Sequence, residues 1–124
     1  MVTGQSRPPA SQLFHLAERA AWEAAKERGF YDLSTRGRTL AEEGFVHCSL
    51  PHQVRGVAER YYSDLDDLVL LVVDPARLTA EVRYEANAPG GDEYPHVYGP
   101  IPVTAVIHAV PVARDAAGHL VLPE

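Results

Sequence analysis

The chain has 124 residues, of which 46% are hydrophobic and 23% charged, with a formal charge of −6 and a single cysteine. That length supports one core burying about 65% of the surface an unfolded chain exposes, so no disulfide or metal staple is needed, and the composition lies far from the disordered regime. The eleven basic residues are scattered, which argues against a nucleic-acid partner; a lone cysteine and a polar N-terminal stretch point to the cytoplasm, and no run approaches the ~20 apolar residues of a membrane span.

Residues 1–11, with Gly4, Pro8 and Pro9, read as a flexible N-terminal tail, and 12–124 as a single domain. Leu13 to Leu16 predicts a strand carrying His15. An alanine-rich helix follows from Glu18 to Arg28, stopped by Gly29. Phe30 to Arg38 reads as loop, and Thr39 to Glu43 as one helical turn before Gly44. Phe45 to Cys48 predicts a short strand, with Ser49 as the cap of a helix that takes Pro51 in its first turn and runs to about Tyr62. Val54, Val57, Ala58 and Tyr61 give that helix one buried face. Ser63 to Asp67 is an acidic turn.

Leu68 to Val73 is a continuous apolar, branched run and predicts the central strand, broken by Asp74-Pro75. Glu81 to Ala86 predicts another strand, Asn87 to Glu93 a long loop forming a lid or rim, Thr104 to Val112 a strand with Pro111 at an edge or bulge, and Leu120 to Leu122 a last pairing segment. The expected fold is therefore α+β, a small mixed but mainly antiparallel sheet of five or six strands with two main helices.

Two segments carry the chemistry, Glu43-Gly44-Phe45-Val46-His47-Cys48-Ser49 and Tyr94-Pro95-His96-Val97-Tyr98-Gly99-Pro100. His47 sits where strand passes to helix, where free amides favour an anion; the competing role is a buried imidazole satisfied by main chain. Cys48 near a helix start could be a nucleophile, but neighbours on a strand face opposite ways, so His47 cannot serve as its base. His47, Cys48, His52 and His96 lack the spacing of a zinc site, and no metal is expected. His96 and Tyr98, two residues apart on an extended segment, share a face and suit a sugar or base edge. His15 is a third imidazole, with either a site or a structural role; Tyr31, Gln53 and Glu85 complete the set of polar groups placed near a cleft.

Taken in order, His15, Trp22, the Glu43–Ser49 segment, Gln53, Leu70-Leu71-Val72-Val73-Asp74, Glu85 and Pro95-His96-Val97-Tyr98-Gly99-Pro100 resemble the domain of unknown function 952 family over Leu13 to Val112. A more distant likeness is to ADP-ribosyltransferases. In it Gly44-Phe45-Val46 and the helix ending at Tyr61-Tyr62 look like one strand and helix of that fold, Tyr94 to Tyr98 like the late strand bearing its glutamate, and His15 falls where a first-strand residue holds NAD. His96 stands near the position of that glutamate, and a neutral imidazole brings no negative charge there. The likeness implies a nucleotide-type ligand (NAD, ADP-ribose or a phosphate derivative), with His47 and His96 as acid/base groups and His15, Ser49, Gln53, Tyr98, Tyr31 and Glu85 as binding residues. The alternative is a non-catalytic module binding another small metabolite.

Overall fold

The computed structural model describes residues 12–35, 38–86 and 88–122. The expected tail over 1–11 lies outside the described residues. In chain order the elements are β1 (Leu13–Glu18), α1 (Arg19–Arg28), β2 (Phe30–Tyr31), α2 (Leu40–Glu43), β3 (Val46–His47), α3 (Val54–Tyr61), β4 (Leu68–Val73), β5 (Val82–Ala86), β6 (Glu93–Val97), β7 (Ile101–Pro102), β8 (Val106–Arg114) and β9 (Leu120–Val121).

The strands form three antiparallel sheets, ordered β1-β4-β8-β9, β2-β7 and β3-β6-β5. The α+β class and the antiparallel pairing agree with the sequence reading, and α1 and α3 are its two main helices. The strand count does not: β2, in a segment read as loop, and β7 have two residues each, too short for an alternating pattern to register in the sequence. β4 is the central strand, paired on one edge with β1 and on the other with β8.

All six residues of β4 are buried because both faces of its sheet are covered. Leu13, Ala17, Val69, Leu71 and Val73 pack on one face with Trp22 and Ala25 of α1 and with Val46, Cys48 and Val97 of the third sheet. Leu16, Leu68 and Leu70 pack on the other face with Val54, Val57 and Ala58 of α3. Each such Leu or Val is worth roughly 1.5–3 kcal/mol when fully buried, so this two-sided sheet is the main stabilising unit. Pro111 pairs with Val69, and among the described residues the other edge of β8 pairs with β9 only at Ala113 and Arg114; the register shift lies instead at Val72/Val73.

Local chemistry fixes the helix ends. Gly29, at φ 96°, closes α1 with its N–H on the Ala25 carbonyl. Thr39 and Glu42 form a reciprocal capping box at the start of α2, the helical turn expected there. Ser49 does not cap α3: its main chain exchanges hydrogen bonds of 2.7 and 2.8 Å with Phe14, tying the third sheet to the first, and an extended residue held that way cannot start a helix. The helix begins five residues later, at Val54.

Candidate functional site

The third sheet has two chemically different faces. Register places His47 opposite His96, His96 opposite Arg83, and Glu85 opposite Tyr94. Directly opposed residues share a face and alternate residues return to it. One face therefore carries Phe45, His47, Arg83, Glu85, Tyr94, His96 and Tyr98; the other carries Val46, Cys48, Val82, Tyr84 and Val97, which join the core. Pro95 is accommodated in the middle strand because its carbonyl, which accepts from Cys48 N at 2.9 Å, and its nitrogen point to the end of β3, where the ladder stops. Gly99 is required by close approach rather than by φ, since a Cβ there would stand 2.7 Å from the Ala80 Cβ.

A cleft of about 660 Å³ lies over the polar face, lined by Thr35, Arg38, Glu43, Phe45, His47, Tyr61, Glu85, Ala86 and His96. At its floor the Phe45 and His96 rings stack, with centroids 3.9 Å apart and planes at 11°. His96 Nδ1 donates to Glu85 Oε1 at 2.9 Å, and the Tyr98 hydroxyl donates to the same oxygen at 2.5 Å. Those two bonds hold the Glu85 carboxyl below its ordinary pKa, the Tyr98 bond contributing most, while the carboxylate pushes the Tyr98 phenol up. Arg83 covers the Tyr98 ring at 4.5 Å. The opposite ring nitrogen, His96 Nε2, is buried and has no hydrogen-bond partner among the described residues.

His47 faces the same cleft, its ring centroid 5.3 Å from that of His96 and 5.0 Å from that of Tyr94. Burial, with smaller contributions from His96 and His15, lowers its pKa to about 4, so the ring is neutral near pH 7. Its backbone is held from behind: His47 N donates to Ser34 Oγ at 3.0 Å, and its carbonyl accepts from His15 Nδ1 at 2.7 Å. A carbonyl only accepts, so the His15 proton is on Nδ1 and Nε2 accepts from the Tyr31 hydroxyl at 3.1 Å. Burial lowers His15 to about 4 and raises the Tyr31 phenol.

Of the residues expected at the site, His47, His96 and Glu85 line the cleft, and Tyr98 stands behind Glu85. His15 and Tyr31 do not line it; they form a buried pair under β3, with both imidazole nitrogens already used. Ser49 is occupied by its bridge to Phe14. Gln53 is a latch, accepting from Leu50 N at 2.9 Å and donating to the Glu93 carbonyl at 2.8 Å, which joins the start of α3 to the start of β6. Placing an anion at the start of α3 thus loses its basis, since none of residues 49–54 lines the cleft. Cys48 is fully buried and its thiol is pushed up to about 12, the opposite of an activated nucleophile.

Six lining residues, Thr35, Arg38, Glu43, Phe45, Tyr61 and Ala86, are absent from the sequence-predicted site residues. Phe45 lies two residues before His47, and that spacing was the available signal for a shared face. Arg38 and Thr35 come from a segment read only as loop, and Tyr61 was assigned to the buried face of its helix although it lines the cleft.

A family model described as Protein of unknown function (DUF952) matches residues 16–109. No curated protein matches. Among solved structures, the chain is similar to the crystal structure of protein CC0527 from Caulobacter crescentus, at 30% identity and TM-score 0.76, over 88% of this chain and 92% of that one. A double mutant of the same protein gives 29% identity and the same TM-score and coverage. Its solution NMR structure gives 30% identity and TM-score 0.73, over 88% and 90% of the two chains.

Proposed function

The chain belongs to the DUF952 family, and we propose that the cleft on its three-stranded sheet binds a nucleotide-type small molecule: NAD, ADP-ribose or a related phosphate derivative. The observation that carries this reading is His96, which lines the cleft and whose buried Nε2 has no hydrogen-bond partner among the described residues. Leaving such a group unpaired costs about 1–3 kcal/mol, which a ligand that pairs with it would recover. The volume of about 660 Å³ suits a small organic ligand, Phe45 and Tyr61 offer aromatic surface to a base, and Arg38 offers a cation to a phosphate.

The residues present also fit NAD as a reactant. Bound here, NAD would supply a glycosidic bond whose departing nicotinamide leaves positive charge on the ribose. An imidazole alone could not balance that charge, but Glu85 stands beside His96, and both of its hydrogen bonds from the described side chains use Oε1. Glu93, the other carboxylate within reach by sequence, falls on the opposite face of β6. In this reading His96 is the acid/base group, and His47, held neutral by burial at a pKa of about 4, serves the ligand as a hydrogen-bonding ring. The second reading, a binding module without chemistry, is favoured by the engagement of Glu85 with Tyr98 as well as His96, which limits its freedom to act on a ligand.

Calorimetric titration with NAD and ADP-ribose should show saturable binding, weakened at least about tenfold in His96→Gln. Absence of binding at millimolar ligand would overturn the proposal. Mass analysis after incubation with NAD separates its two forms, because only the enzyme releases nicotinamide.

A further inference from the structure

We infer that Glu85 and His96 form a proton-accepting dyad, and that the deep end of the cleft takes an uncharged, hydroxyl-bearing group which donates a hydrogen bond to His96 Nε2. The inference rests on the nucleotide reading only in naming that group as a ribose. The ionised Glu85 carboxylate can only accept, so Nδ1 carries a proton, and in the neutral form of the ring the lone pair then lies on Nε2. A lone pair is satisfied by a donor. Phe45, stacked flat on the ring, and Glu85 together fix the direction in which that lone pair points.

Charge selects among donors and excludes an anion at this depth. Glu43 and Glu85 both line the cleft, and its one cation among the described lining residues, Arg38, stands 3.7 Å from Glu43 with its side chain 59% exposed. Arg38 is therefore at the rim, while His96 is 2% exposed at the floor. The neighbouring imidazole of His47 adds no positive charge, since burial keeps it neutral. A nucleotide entering this cleft places a sugar hydroxyl on His96 and leaves its phosphates near Arg38. When the hydroxyl hydrogen bonds to Nε2, its proton stays on oxygen and is drawn toward the ring, whose gain of positive charge Glu85 balances.

Nitrogen-15 NMR of the histidine rings in the wild-type protein tests this, with His96 assigned by the signals lost in His96→Gln. D-ribose should shift Nε2 upfield while the proton stays on Nδ1, and inorganic phosphate should leave both nitrogens unchanged. ADP-ribose should reproduce the ribose shift. A response to ribose without one to ADP-ribose would sustain the dyad and remove the nucleotide reading. Binding of ADP-ribose with Nε2 protonated, or a response to phosphate or to methylammonium in place of ribose, would overturn the dyad and leave the nucleotide reading standing. Silence of His96 toward ribose and ADP-ribose alike would overturn both.

Discussion

His15 and His96 are equally buried, at 3% and 2% exposure, yet they belong to opposite kinds of environment. Around His15 every polar atom is matched: one nitrogen donates to the His47 carbonyl, the other accepts from Tyr31, and the corner joins β1, β2 and β3. Around His96, which lines the cleft, one nitrogen is matched by Glu85 and the other is buried with no partner among the described residues. Burial therefore does not distinguish a structural histidine from a site histidine. What distinguishes them is whether the fold completes the ring's hydrogen bonds or leaves one for something else.

If this contrast holds, the largest stability loss comes from the satisfied corner. His15→Ala removes a buried ring and orphans both the His47 carbonyl and the Tyr31 hydroxyl, and should cost about 3–5 kcal/mol in urea unfolding. A loss below about 1 kcal/mol would show that the corner is not structural.

Acid should strike the same corner. The His15 pKa is about 4 in the folded chain against an ordinary 6.5, so between those values the unfolded chain binds more protons and folding stability falls as pH drops. Stability conferred by the neutral ring is complete above about pH 6.5, declines toward pH 4 by on the order of 3 kcal/mol, and levels off below it. His15→Phe should remove this contribution and leave that of His47, whose pKa is also about 4, so the decline becomes shallower without vanishing, measured as the difference in urea midpoint between wild type and variant. Tyr31→Phe deletes one hydrogen bond and keeps the packing, and we expect it to lower stability by about 1–2 kcal/mol.

The other half of the contrast predicts small effects on folding and larger ones on binding. Glu85→Gln retains an acceptor for His96 Nδ1 on a side chain that is 37% exposed, so its stability should stay within about 1 kcal/mol of wild type, while loss of the charge weakens ADP-ribose binding about tenfold. Equal damage to stability from Glu85→Gln and His15→Ala would erase the distinction. At the small end, Cys48 shares β3's neighbourhood but faces the core, and iodoacetamide should label it only after unfolding, as mass spectrometry can read.

Much of the scaffold is legible along the chain. The run Leu68–Val73 identifies the central strand, Gly29 and Gly44 mark helix ends, and strict alternation along an extended segment is enough to separate His47 from Cys48. The failures are equally specific. Ser49 has the chemistry of a cap, but its main chain is taken by Phe14, 35 positions away, and His15 has the chemistry of a site but is consumed by Tyr31 and the His47 carbonyl. Phe45 and Arg38 were hidden for the converse reason: neither looks catalytic until the third sheet and the loop before it are brought together.

Spacings of a few residues suffice for the α+β class, the core strand, the principal helices and the membership of His47, His96 and Glu85 in a polar set, because periodicity and capping are local. Which imidazole is spent and which is offered is settled by packing between distant segments. That decision depends on hydrogen bonds between segments 11 to 32 residues apart, whose register is fixed when the sheets pack and not by any local pattern.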